Sequence, residues 1–222
     1  MKKSANNSES LVMSYLNLRK IIGLLGMSLP FILLLGTLIF FQTGIIEKSI
    51  SHYYHTGMGD FFVGTFFVIG AFLLSYKGYE KKDDIAGDLA CFFAIGLALF
   101  PTAFILNPSG IEKIVGIAHW IFASLFFLTL AYFSLFLFTK TNPKKSPTNE
   151  KLRRNQIYRI CGYIILVSIA LIFLIQVSLP PNMEQILEVY KPVFWIESLA
   201  VLAFGFSWLI KGEAILADHK RG

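Results

Sequence analysis

Long apolar runs separated by short polar segments dominate the chain. A helix that crosses a bilayer needs about 20 predominantly apolar residues, and six runs are long enough to qualify. They are 21–43, 58–76, 85–104, 114–138, 157–177 and 190–210. The pattern therefore predicts an all-α, polytopic membrane protein. A single domain, 21–213, forms a bundle of six transmembrane helices between terminal tails at 1–20 and 214–222.

The distribution of basic residues predicts how these six helices are oriented. An inner N-terminus places all but three of the 20 Lys and Arg residues on the inner side of the membrane. The exceptions are Lys48, Lys113 and Lys191. Because Lys and Arg accumulate in cytoplasmic segments, this bias predicts that both termini are cytoplasmic.

Composition and charge fit a protein of the bilayer. The chain is 55% hydrophobic and 15% charged, whereas soluble domains carry about 25% charged residues. The net charge of +6 does not indicate a nucleic-acid partner, because the basic residues flank the apolar runs. The basic, Pro-containing segment 139–155 is predicted to be a flexible loop that attracts anionic lipid headgroups. Membrane lipids are the expected partners, and an oligomer is compatible with the sequence.

Small residues and cysteines within the apolar runs indicate packing roles. Cys91 and Cys161 are expected to be reduced, buried thiols. Glycines in the spans are expected to let helices approach closely. They include Gly23, Gly26, Gly87, Gly96, Gly162 and Gly205.

The outer polar stretch SISHYYHTGMGD, 49–60, carries the candidate chemistry. His52 and His55 are three residues apart, so one helical turn would put both imidazoles on one face. His119 and Glu197 lie within spans, roughly 8–10 Å from the outer surface at about 1.5 Å per residue. Three imidazoles and a carboxylate match a zinc set, with Glu197 as general base on a bound water.

Further candidates and a second interpretation belong to the same outer region. Asp60 and Ser51 join Glu197 as catalytic candidates, and the candidate ligand-binding residues are Tyr53, Tyr54, Asn107 and Trp195. The HxxH spacing alone is a weak pattern. A polar cluster without metal, which binds a headgroup or orders the bundle, is therefore the favoured interpretation.

Three segments carry a resemblance to known membrane proteins: SISHYYHTGMGDFFVG, AGDLACFFAIGLALFPT and FWIESLAVLAFGFSWLIKGE. They resemble an uncharacterised family of bacterial six-helix integral membrane proteins, a domain of unknown function. The shared features are a Ser- and Tyr-rich outer loop, Phe-Val-Gly at 62–64, Ala-Gly at 86–87 and Phe-Pro-Thr at 100–102. The resemblance implies a multi-pass protein of the bacterial cytoplasmic (inner) membrane. In that family the positions of His52 and His55 need not be histidine. The general layout is also similar to DRAM-like and PGAP-like membrane proteins.

These observations favour a non-enzymatic role. The chain is predicted to bind or sense a lipid or another amphipathic ligand, or to scaffold a partner, through an outward-facing polar pocket. One alternative is a membrane-embedded, zinc-dependent lipid hydrolase that resembles alkaline ceramidases. Another is a small transporter, for which Asp88 is the only acid within the inner part of a span.

Overall fold

The fold is a bundle of helices, seen in a computed structural model that describes residues 2–42, 46–78, 80–103, 109–141, 146–178 and 189–216. Within these ranges the backbone forms six α-helices and no strand. In chain order they are α1 Lys2–Phe40, α2 Gly59–Leu74, α3 Lys81–Leu99, α4 Gly110–Tyr132, α5 Asn149–Ser178 and α6 Pro192–Lys211. A 3₁₀ helix, Ser51–His55, precedes α2, and a π-helical turn, Phe133–Leu137, continues α4. The all-α fold class is confirmed.

Four of the described helical segments are long and apolar enough to cross a membrane. They are Ser14–Phe40, Gly110–Leu137, Asn149–Val177 and Pro192–Lys211. The 16 residues of α2 span only about 24 Å, and α3 opens with four consecutive charged residues. Each helix overlaps with one of the six predicted runs, while a crossing by α2 and α3 stays a prediction.

Two helices extend well beyond the apolar runs that predicted them. The first begins at Lys2, and α5 begins at Asn149, so the predicted flexible loop is wrong for residues 149–155. Neither extension contains glycine or proline, and most of its residues favour helix. Thr148 also caps α5, because its hydroxyl accepts a 3.1 Å hydrogen bond from the backbone N–H of Lys151.

The last helix lies at the centre of the bundle. It packs between α1 and α5, while α2, α3 and α4 follow one another around the remaining side. Accordingly 67% of the α6 span is buried, against 22% of the α5 span. We call the end of the bundle that carries residues 46–58 the loop end, and the opposite end, where α6 reaches Lys211, the basic end.

Glycines bring neighbouring helices into backbone contact, as the sequence predicted. At the α1–α6 crossing, a Cβ atom on Gly205 would lie 2.6 Å from the carbonyl oxygen of Gly23. At the α2–α3 contact, a Cβ atom on Gly87 would lie 2.8 Å from the carbonyl oxygen of Leu73. Gly26, Gly96 and Gly162 likewise face side chains of adjacent helices. In lipid, such close approach supplies the dispersion contacts that hold helices together.

Candidate functional site

A carboxylate of α6 fixes the segment between α1 and α2. Oε2 of Glu197 accepts hydrogen bonds from the backbone N–H groups of Ile50, at 2.7 Å, and Ser51, at 3.4 Å. These N–H groups stand at the start of the 3₁₀ helix Ser51–His55, where no intrahelical acceptor is available. Glu197 therefore caps that helix from a position 147 residues further along the chain.

The same segment is anchored by an apolar contact. Tyr53 is fully buried, and its ring packs against that of Phe194, with centroids 6.1 Å apart. The backbone N–H of Phe194 donates to the carbonyl oxygen of Lys48 at 3.1 Å. Burial also raises the pKa of the Tyr53 phenol. Tyr53, predicted as a ligand-binding residue, is a core residue of the loop end.

A serine and a histidine of this segment are paired with each other. The hydroxyl of Ser49 accepts a 3.1 Å hydrogen bond from the backbone N–H of His52 and lies 2.7 Å from His52 Nδ1. That separation is within the range of a nucleophile and its general base. However, Ser49 is only 4% exposed. Burial, aided by neighbouring positive charges, lowers the pKa of His52 to about 4. The pair therefore acts as a local cap with a neutral imidazole.

The other two imidazoles of the predicted zinc set bind backbone carbonyl groups. Nε2 of His55 lies 2.7 Å from the carbonyl oxygen of Thr102. Nδ1 of His119, a buried residue, lies 2.7 Å from the carbonyl oxygen of Phe100. In the part of the chain that the structure describes, no three His, Cys, Asp or Glu side chains lie close enough to hold a metal ion. The zinc set of His52, His55 and His119 stays a prediction.

Two of the predicted ligand-binding rings reach the surface of the loop end. Trp195 is 54% exposed, and its ring lies edge-on to Phe194 at 5.1 Å. Tyr54 is half-buried, and it contacts the rings of His55 and Phe62. These aromatic rings lie beside the polar segment, as in an interface between headgroups and acyl chains.

The remaining candidates have separate surroundings. Asp60 is exposed in the first turn of α2, where an acid favours the positive end of the helix dipole. Ser51 is half-buried and contributes its backbone N–H to the Glu197 contact. Asn107 lies outside the described residues. The structure thus brings Ser51 to Glu197, and it records no bond between either of them and Asp60.

The buried acid at the basic end is Asp83, which the sequence analysis did not single out. It is 1% exposed, and its carboxylate lies 2.6 Å from the ammonium nitrogen of Lys140. This hydrogen bond raises the pKa of Lys140. Asp88, the acid proposed for a transport path, is exposed on α3. The Lys-Lys-Asp-Asp run at 81–84 was the only sequence feature that pointed to Asp83. The run does not show which of its four side chains is buried.

Comparisons with known proteins add no further identification. The chain matches no protein-family model, no curated protein and no solved structure. The geometry of the described residues therefore carries the functional argument.

Proposed function

We propose that this chain is a six-span protein of the bacterial cytoplasmic membrane, with both termini inside, that binds a lipid or another amphipathic ligand without catalysing a reaction. The binding site is the loop end. One observation carries the non-catalytic part of this proposal: the carboxylate of Glu197 is engaged by the backbone N–H groups of Ile50 and Ser51.

The proposed topology rests on helix positions and charge. Four segments meet the length and hydropathy of a membrane span, and α2 and α3 lie against each other as an antiparallel pair beside them. A crossing by this pair puts its Lys-rich connection, around Lys81 and Lys82, on the same side as the basic start of α5. That arrangement keeps the positive charge on one side of the bilayer.

Single-cysteine labelling distinguishes six spans from four. In a Cys91→Ser, Cys161→Ala background, we expect an impermeant maleimide to label Lys113→Cys on intact cells. It should label Lys82→Cys only after the cells are permeabilised, because α3 separates the two positions. If α2 and α3 do not cross, both positions lie on one side and label alike. The cysteine-free background is the control, and equal labelling of intact cells would contradict the six-span topology.

A hydrolase at this end would need a base and a nucleophile that substrate can reach. Glu197 instead holds the chain in place, and Ser49 is almost completely buried. A general base must lie within hydrogen-bond reach of the proton that it removes. Oε2 of Glu197 already accepts two backbone N–H groups, so this oxygen is not available as a base while the loop is capped.

Binding of an amphipathic molecule fits the surface around this cap. Trp195, in the first turn of α6, is 54% exposed, and Tyr190, two residues before that helix, is 69% exposed. His55 is also exposed, and the polar segment that contains it lies at the loop end as well. Exposed rings next to hydrogen-bonding groups suit a ligand that has an apolar tail and a polar head.

Substitutions at Glu197 and Trp195 test this function through the lipid that stays bound in mild detergent. Glu197→Gln keeps a carbonyl oxygen for the two N–H groups, so we expect near-normal stability and ligand retention. Glu197→Ala leaves both donors without an acceptor, at a cost of about 1.5–3 kcal/mol. Trp195→Ala should keep the thermal midpoint and lose the ligand. Mass spectrometry of the bound lipid and thermal unfolding measure these outcomes.

The hydrolase alternative predicts a different pattern for the same variants. A general base cannot be replaced by an amide, so Glu197→Gln would fold normally and abolish turnover of a lipid substrate. Lys113→Gln, an exposed change on α4, is the control for unspecific effects. Lipid turnover that Glu197→Gln abolishes, or lipid retention that Trp195→Ala leaves unchanged, would contradict the proposed function.

A further inference from the structure

Four basic side chains from three helices converge at the basic end of the bundle. Arg19 lies on α1, Lys151 and Arg154 lie in the first turns of α5, and Lys211 ends α6. The charges of the first three act on Lys211, and Glu213 is the one acid among the described residues that opposes them. Such a group of like charges favours binding of an anion. We call these four residues the basic cluster.

Phe138, just after the π-helical turn of α4, connects the α5 and α6 members of this cluster. The Lys151 ammonium donates to the carbonyl oxygen of Phe138 at 2.8 Å. The Lys211 ammonium lies 5.3 Å from the centroid of the Phe138 ring. Both ammonium groups therefore contact one residue. Arg154, which is 7% exposed, donates to the carbonyl oxygen of Leu216 at 2.9 Å and so holds the segment after α6 beside α5.

Arg19 approaches the same region over a continuous layer of aromatic rings. Its guanidinium lies 4.2 Å from the centroid of Tyr15 and 5.7 Å from that of Tyr76. The ring of Trp208 connects the two sides of the layer, because it contacts Tyr76 at 5.8 Å and Phe138 at 5.1 Å. These rings form a floor beneath Arg19 and Lys211, whose cations both lie over ring faces of this layer.

Two buried donors at this floor have no acceptor within the described residues. They are Nε of Arg19 and Nε1 of Trp208, and the Trp208 side chain is fully buried. A buried donor without an acceptor destabilises the fold, so proteins rarely keep one without a reason. An anionic ligand supplies acceptor oxygens of the kind that both donors lack.

We propose that the basic cluster and the two unpartnered donors form a binding site for a phosphate group. Planar guanidinium groups match phosphate oxygens, and ammonium groups add charge. The four side chains lie near the ends of the apolar spans Ser14–Phe40, Asn149–Val177 and Pro192–Lys211, where lipid headgroups meet a span. The phosphate group belongs either to an anionic lipid or to a soluble phosphorylated molecule. This site lies at the basic end, and the site of the proposed function lies at the loop end. Failure of one proposal therefore does not affect the other.

The fluorescence of Trp208 reports on this site directly. The chain has three tryptophans, so a Trp120→Phe, Trp195→Phe background leaves Trp208 as the single indole. Full-length protein in mild detergent is titrated with dioctanoyl phosphatidic acid, with dioctanoyl phosphatidylcholine and with inorganic phosphate. We expect a saturable change in emission with phosphatidic acid, and little change with the zwitterionic lipid. Saturation by inorganic phosphate as well would identify the phosphate group itself as sufficient, whereas saturation by phosphatidic acid alone would identify a lipid headgroup.

Variants at the two ends of the bundle separate a specific site from general attraction. We expect Lys211→Gln and Arg19→Gln each to raise the half-saturating phosphatidic acid concentration about tenfold, as for loss of one charge-assisted contact. Lys113→Gln, which removes one exposed cation at the loop end, should leave it unchanged. Arg19→Lys keeps the charge but lacks Nε, so it should weaken binding less. An equal effect of Lys113→Gln, or no saturable change with either phosphate probe, would overturn the proposal.

Discussion

Gly205→Ala is expected to destabilise the bundle strongly, through the close contact between α6 and α1. The new Cβ atom would lie 2.6 Å from the carbonyl oxygen of Gly23 and 2.6 Å from the backbone nitrogen of Met27. Both are backbone atoms of α1, so a side-chain rotation cannot relieve the overlap. The two helices must therefore move apart, and α6 is the most buried of the four candidate spans. Overpacking of this kind costs about 1–3 kcal/mol, and Gly205→Leu should cost more.

Gly64→Ala is the matched control for this prediction. A Cβ atom on Gly64, in α2, meets nothing within 4 Å, and alanine favours helix over glycine by about 1 kcal/mol. We therefore expect unchanged or higher stability for Gly64→Ala. The two native cysteines are buried, so the rate of thiol labelling during heating reports unfolding in detergent. Equal thermal midpoints for Gly205→Ala and wild type would contradict the close α1–α6 contact.

Lys140→Met is expected to have the second large effect. It removes the cation 2.6 Å from Asp83 and leaves a carboxylate that is 1% exposed without that partner. Loss of one member of a buried ion pair costs about 3–5 kcal/mol. We expect a loss of stability at the lower end of this range, because the Lys140 side chain is itself 31% exposed. The second acid near Lys140, Glu80, is 63% exposed, so its contact contributes little.

A double substitution and an exposed ion pair test that explanation. Asp83→Asn combined with Lys140→Met removes the charge along with its partner, so we expect much of the lost stability to return. Lys77→Met breaks a 3.9 Å pair with Asp84 whose lysine is 66% exposed, and it should cost less than about 1 kcal/mol. Thermal unfolding of the wild type, Lys140→Met, Asp83→Asn and the double variant measures the coupling, and Lys77→Met is compared with them. If Lys140→Met and Lys77→Met are equally mild, the buried pair does not stabilise the fold.

The sequence provides more information about the Gly23–Gly205 contact than about the Asp83–Lys140 ion pair. Gly23 and Gly205 were recognisable as small residues inside spans, and helices in lipid commonly meet at such residues. The sequence did not show that they face each other, because α1 and α6 are separated by most of the chain. The buried position of Asp83 was even harder to predict from the sequence. It stands among five charged residues in a row, 80–84, and only the path of the chain after α4 brings Lys140 to it.

The proposed loop-end site shows the same limit. Glu197 was recognised because an acid within a span is unusual, but its partners are backbone N–H groups of Ile50 and Ser51. Every residue except proline has such a group, so no residue pattern identifies the ones that a distant carboxylate will cap. The interpretation of Glu197 as a base followed from its side chain alone. In the structure, the Glu197 carboxylate lies against the first N–H groups of the 3₁₀ helix, and this contact gives the residue a structural role.

The sequence by itself predicted that the chain is helical and where its six apolar runs lie, and four of the described helical segments suit a membrane. Apolar length carries this information, since a helix satisfies its own backbone hydrogen bonds in lipid. Only the tertiary structure decided which faces are buried, which acids turn inward and which cations meet. In a bilayer the lipid is as apolar as the protein core, so hydrophobicity does not distinguish a buried face from a lipid-facing one. Close backbone contact and the pairing of polar groups make that choice, and both depend on residues far apart in the chain.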